Sequence, residues 1–177
     1  LKSGQKITFD ILVMAAGVAA NIELVKAAGG ACNRGIIIDA HGKTSIPDVY
    51  AAGDCAEGFD SSIGQNRVLA LLPNAYLQGE CAGENMAGKD CVFDKAIPMN
   101  AVGFFGLHVL SAGIYDGECV SEVTAERYKK LFIKGNKLVG FILIGKIERA
   151  GIYTSLIRDG IDLRTVDKDL LMKAPQL

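Results

Sequence analysis

The chain has 177 residues, half of them hydrophobic and 22% charged, with a formal net charge of -1. That length holds one ordinary domain or two small ones, and the apolar share suits a buried core and excludes a disordered tail. The near-neutral balance argues against nucleic acid as a partner, because phosphate binding needs concentrated Lys and Arg.

In chain order, Lys6 to Gly17 (KITFDILVMAAG) reads as a strand apolar on both faces, the pattern of a central position in a layered α/β sheet. The run Ile11 to Ala20, preceded by Lys2 and Lys6, superficially resembles a signal peptide. Asp10 at its head and the β-type residues favour a buried strand, and no apolar run is long enough to cross a bilayer. Asn21 to Ala28 predicts one or two helical turns closed by Gly29 and Gly30. Gly35 to Asp39 predicts a short strand, and Ala40 to Lys43 a turn. Pro47 and Asp48 lead into a second apolar strand, Val49 to Ala52, ending at Gly53-Asp54. A polar loop through Asn66 follows. The next helix starts near Pro73, which suits a first turn, and stops at Gly88, with Ala75, Gly79, Ala82, Gly83 and Met86 as a small-residue packing face.

Near Lys95 to Pro98 the texture changes to an antiparallel sheet. Its predicted strands are Val102–Phe105, Cys119–Thr124, Tyr128–Ile133 and Leu138–Ile144, the last two joined by a Gly135-Asn136 turn. Helices over Glu148–Asp159 and Asp167–Met172 finish the chain. Two domains are expected, residues 1–95 and 96–177.

Cys32, Cys55, Cys81, Cys91 and Cys119 are odd in number and contain no CxxC pair, and His41 and His108 have no partner at a ligand spacing. They read as reduced packing residues of a cytoplasmic protein, with no metal site. Lys129, Lys130, Lys134 and Lys137 form a basic cluster, read as a solvated hairpin, with a docking patch for an acidic redox partner as the alternative.

The stretch with chemical content is Thr44 to Asp54, TSIPDVYAAGD. A strand ending in Gly-Asp sets a carboxylate at the carboxyl edge of a sheet, where open α/β folds bind ligands. The glycine admits close approach, and the carboxylate can accept hydrogen bonds from sugar-type hydroxyls. Taken alone, Gly-Asp is also an ordinary turn.

With its flanks, the sequence resembles the pyridine nucleotide-disulfide oxidoreductase superfamily of flavoproteins. Asp10-Ile-Leu-Val-Met-Ala-Ala16-Gly17-Val-Ala-Ala20-Asn21 resembles the family's D-hhhhA-x-G-x-x-P-N, and Thr44 to Asp54 its T-x-x-x-h-Y-A-x-G-D. Arg67 to Gly88 is similar to its A-x-x-Q-G…A-x-N-M-x-G helix, and Lys137 to Gly145 to its L-V-G hairpin, closest to the rubredoxin reductase and NAD(P)H-nitrite reductase branch. The resemblance implies an α/β fold: part of a Rossmann-like FAD-binding domain, then a small α+β interface domain with an antiparallel sheet. It implies FAD as cofactor and NAD(P)H as co-substrate, with electrons passing through flavin to an external acceptor such as rubredoxin or a nitrite-reducing centre. A homodimer and a small electron-carrier protein are the implied partners.

By the same resemblance Asp54, after Gly53, binds the ribityl or pyrophosphate portion of FAD, and Gly17 packs its turn against the cofactor. The backbone N–H groups of Asn74 and Ala75, at a helix N-terminus, face the flavin's pyrimidine edge, where the helix dipole stabilises the reduced flavin's negative charge. Ala20 replaces the family's usual Pro, and no GxGxxG loop occurs in the chain. Both such loops are therefore expected upstream of Leu1, and the isolated chain is expected to be inactive. A His-x-x-x-x-Glu acid/base pair is absent, since Gly113 follows His108 by five residues, which disfavours the disulfide-reducing members. The alternative is a stand-alone interaction or dimerisation module with a vestigial FAD motif. A thioredoxin-reductase-like protein and a nitrite reductase large subunit rank lower.

Overall fold

The computed structural model describes residues 2–173. The first half holds helix α1 (Glu23–Ala27), strand β1 (Ile36–Ile37), a 3₁₀ turn (Gly53–Cys55), strands β2 (Ala56–Asp60) and β3 (Gln65–Val68), and helix α2 (Leu72–Met86). β1 pairs parallel to β2, with Ile36 opposite Ala56, and β2 pairs antiparallel to β3, with Glu57 opposite Val68. Pro73 sits in the first turn of α2, where a missing N–H costs no helix bond.

The second half is an antiparallel sheet of β4 (Met99–Phe104), β5 (Leu107–Gly113), β6 (Glu118–Val123), β7 (Arg127–Lys134) and β8 (Lys137–Gly145), in the order β4-β5-β8-β7-β6. The β7–β8 hairpin turns at Gly135 (φ 56°) and Asn136 (φ 59°), two left-handed residues whose twist matches the flanking strands. Helices α3 (Ala150–Arg158) and α4 (Lys168–Lys173) follow. α3 packs on β8 and β5, and Phe141 meets Tyr153 with ring centroids 5.4 Å apart. Ile97, Leu131, Leu138, Phe141, Leu143, Tyr153 and Leu163 are each at most 1% exposed and form the main core.

A polar seam joins the two sheets. The amide and hydroxyl of Ser61 both donate to the Ala96 carbonyl at 2.9 Å, and Asn74 Nδ2 donates to the Ile97 carbonyl at 3.0 Å. Lys95 pairs with Asp159 at 3.0 Å.

Three expectations are corrected. Residues 6–17 join no ladder among the described residues, and Ile11, Val13 and Met14 are at least 80% exposed. A strand apolar on both faces forms only when neighbours pair its edges and layers cover its faces, and the three short strands beside it supply neither. Val49–Ala52 is not a strand: Tyr50 makes one isolated bridge to Lys43, and the strand comes after Gly53-Asp54, as β2. The residues read as a polar loop through Asn66 thus hold the hairpin β2–β3. Finally, the buried face of α2 is Asn74, Gln78, Cys81 and Ala82, while Gly79, Gly83 and Met86 are exposed. Amide side chains are buried there because neighbouring turns present backbone groups that need partners.

Candidate functional site

The Thr44–Asp54 segment folds around its first residue. The Thr44 amide and hydroxyl both donate to the Val49 carbonyl at 2.9 Å, and the hydroxyl accepts the Ile46 amide at 3.1 Å. This closes the Ile46–Val49 turn, where Asp48 takes φ 61°. The chain then runs back along residue 42, the Ala51 amide donating to the Gly42 carbonyl at 3.0 Å, and delivers Gly53 to the opening of α2.

Gly53 has φ 80°, and its amide donates to Gln78 Oε1 at 2.9 Å. A Cβ at Gly53 would stand 3.4 Å from the Ala75 Cβ, so the motif's glycine and the first turn of α2 lie side by side. Asp54 is exposed in the 3₁₀ turn and has no hydrogen-bond or ion-pair partner among the described residues. At α2 the Ala75 amide is donated to the Leu71 carbonyl at 3.0 Å, whereas the Asn74 amide precedes the first helical acceptor. Of the two amides expected to face a cofactor, only that of Asn74 is therefore uncommitted to the helix. The Asn74 side chain is buried and holds the seam at Ile97.

Two cavities flank this junction. One, of about 500 Å³, is lined by Val18, Ala19, Ala20, Arg34, Asp54, Arg67, Val68 and Ala70. The other, of about 430 Å³, lies between Leu71–Pro73, Met99–Ala101 of β4 and Ala150–Gly151 at the start of α3. Gly17 (φ 89°) is exposed immediately before the Val18–Ala20 wall, and no described atom lies within 4 Å of a Cβ placed there. The structure thus gathers Gly53, Asp54, Asn74 and Ala75 at one place and brings Gly17 to its edge through the next three residues.

Sequence reasoning missed the groups that support this place. Gln78 holds Gly53. Glu57, buried in β2, accepts from the Gly35 amide at 2.9 Å and from Asn33 Nδ2 at 3.0 Å, tying the 33–35 turn to the sheet. Asn85 donates from Nδ2 to the His41 and Cys91 carbonyls at 3.0 and 2.8 Å and accepts the Cys91 amide at 3.0 Å, fixing the far end of α2. Beside it the Cys91 thiol is pushed up to about 12 by its hydrogen bond to the Cys81 thiol and by burial. Such amides gave no periodic signal, because each answers a turn remote in sequence. Arg34 and Arg67 likewise belong to no pattern.

Two lysines of the basic cluster have partners of their own, while Lys134 and Lys137 stand opposite each other across the β7–β8 turn. Lys129 is buried and donates to the Met172 carbonyl, with burial depressing its pKa, while Lys134 pairs with Asp116 at 2.7 Å. Among the described residues no helix is long and apolar enough to cross a membrane.

Residues 1–79 match the family described as pyridine nucleotide-disulphide oxidoreductase, and residues 98–161 match the rubredoxin NAD+ reductase C-terminal domain. The chain is 36% identical over 151 residues to the assimilatory nitrate reductase electron transfer subunit of Bacillus subtilis, covering 81% of this chain and 19% of that protein. It is 31% identical over 148 residues to the NADH-rubredoxin oxidoreductase of Clostridium acetobutylicum, covering 81% and 38%. The crystal structure of an FAD-dependent pyridine nucleotide-disulphide oxidoreductase from Desulfovibrio vulgaris superposes with a TM-score of 0.72 at 28% identity, covering 84% of this chain and 42% of that one. The chain therefore spans well under half the length of these relatives. It belongs to the pyridine nucleotide-disulphide oxidoreductase family and carries, over residues 98–161, the C-terminal domain of the rubredoxin reductase branch.

Proposed function

We propose that this chain forms the flavin-facing C-terminal part of an FAD-dependent NAD(P)H oxidoreductase that passes electrons to an external acceptor, such as rubredoxin or a nitrite-reducing centre, in the cytoplasm. The observation that carries this reading is the junction of Gly53-Asp54 with the opening turn of α2, contact between Gly53 and Ala75 included. The donor set fits a flavin dinucleotide. Asp54 offers an unpaired carboxylate to hydroxyl groups, the Asn74 amide a donor, and α2 the positive end of a 15-residue helix. When bound, FAD would supply the hydride-accepting and electron-passing chemistry. The protein's part is to place the cofactor, to stabilise negative charge at the α2 N-terminus, and to wall the site with the apolar surface of Leu71–Pro73 and β4.

A domain division near residue 96 suits this reading, since residues 96 and 97 form the seam between the first half and the antiparallel sheet. A small electron-carrier protein and a second copy of the chain are the proposed partners. With no GxGxxG loop in the sequence, the chain holds half of a dinucleotide site, and its affinity for FAD should be roughly millimolar, about 4 kcal/mol. The test is an FAD titration followed by backbone amide NMR. Shifts at Gly53, Asp54 and Asn74 that disappear in Asp54→Ala are expected, without NADH oxidation by the chain alone. Tight stoichiometric binding would overturn the half-site reading, and shifts confined to other residues would overturn the flavin assignment.

A further inference from the structure

The cavity beside Asp54 is lined by two arginines that the flavin reading leaves without a task. Arg34 and Arg67 line it together with Asp54 and the Val18–Ala20 wall. Arg67 is held in place. Its Nε and Nη2 both lie 2.5 Å from Oδ2 of Asp60, whose carboxylate is 0% exposed. The other oxygen of Asp60 accepts the Ser62 amide at 2.8 Å and the Ser62 hydroxyl at 2.5 Å. A buried carboxylate with both oxygens committed is costly to form, and here it fixes an arginine whose side chain remains 41% exposed. Two of the five N–H donors of Arg67 face Asp60, which leaves the others for a ligand.

Charge then divides the site. A carboxylate repels a phosphate and accepts from hydroxyls, whereas guanidinium groups bind phosphate oxygens through paired charge-assisted hydrogen bonds. We infer that Arg67, aimed by Asp60, and Arg34 bind the diphosphate of a dinucleotide, and that Asp54 takes its sugar or sugar-alcohol hydroxyls. Asp60 is a positioning residue in this arrangement. The identity of the dinucleotide as FAD rests on the function proposed above; NAD(P)H carries the same diphosphate.

The test uses the full chain and inorganic pyrophosphate, with the arginine Nε–H signals and backbone amides read by NMR. Pyrophosphate should move the Nε–H signals of Arg67 and Arg34 and bind about tenfold more weakly to Arg67→Gln, the loss expected for one charge-assisted contact. Arg67→Lys, which keeps the charge without the fork, should restore binding only in part, and Asp60→Asn should lower it through Arg67. If Asp60→Asn unfolds the hairpin, Arg67→Gln carries the comparison, provided its remaining amide signals are unchanged. Riboflavin, which has no phosphate, should move Gly53 and Asn74 equally in the wild type and in Arg67→Gln. FAD should move the arginine signals and the Gly53 and Asn74 amides together, whereas NADH shifting the arginines alone would assign the site to the nicotinamide dinucleotide. No response of the wild type to pyrophosphate, or equal binding by Arg67→Gln and Arg34→Gln, overturns the inference. A riboflavin response without a pyrophosphate response would retain the flavin reading and reject the diphosphate site. The reverse pattern would retain the diphosphate site and reject the flavin.

Discussion

At the scale of single residues, the site depends on a backbone conformation rather than on a catalytic side chain. Gly53 takes φ 80°, gives its amide to Gln78 and stands against Ala75. A side chain is strained in that left-handed region, and Cβ contact with α2 adds little room to relax. Gly53→Ala is expected to cost about 1–2 kcal/mol of stability, read as a lower urea midpoint with an unchanged slope. A midpoint equal to the wild type would show that the turn adopts another conformation. Polar side chains at this scale have specific structural uses: Thr44 closes a turn, Glu57 anchors another, and Asn85 joins three segments.

At the scale of elements, α3 and α4 show how the antiparallel sheet gains its cover. Tyr153 on α3 is fully buried, and its hydroxyl donates to the Leu171 carbonyl of α4 at 2.6 Å. Burial pushes its pKa up to about 12, against an ordinary value of 10.0. Because the folded-state value is raised, the associated stability is fully present below pH 10 and is lost as the pH rises through about 12. Tyr153→Phe should lose about 1 kcal/mol at neutral pH with the hydrogen bond. It should also show a smaller decline in stability between pH 10 and 12 than the wild type, measured by urea unfolding across that range. Parallel declines in the two proteins would show that folding does not raise the pKa of this hydroxyl.

At the scale of the molecule, the two halves differ in how their apolar residues are covered. The second sheet encloses its core, whereas residues 7–18 hold apolar side chains in the open, Val18 at 85% exposed and Val13 at 81%. A contiguous exposed apolar stretch marks an interaction surface or an association hazard. With no ladder bonds holding it among the described residues, this stretch should be cut by chymotrypsin at Phe9, Leu12 or Met14 well before Phe132 or Phe141 in the sheet. Cleavage beginning in the sheet would place residues 7–18 in a protected structure.

What was legible in the sequence was local. The turn at Gly135-Asn136, Pro73 at the start of α2 and the strands of the β7–β8 hairpin follow from short-range patterns that elementary sterics enforce. The Thr44–Asp54 motif was visible because its residues answer one another within a few positions. β5 was missed because it follows the tight Phe105-Gly106 turn (φ 48° and 81°), which an aromatic residue does not advertise. The strand expected at Lys6–Gly17 had the right composition but depended on neighbours that composition cannot supply. Gln78 beneath Gly53, Asp60 behind Arg67 and Asn85 at Cys91 were decided by the tertiary structure alone. Gln78 and Asp60 are buried and Asn85 is half-buried, and each meets its partner only after the chain has turned back, so the closed chain determines which donors and acceptors must be satisfied.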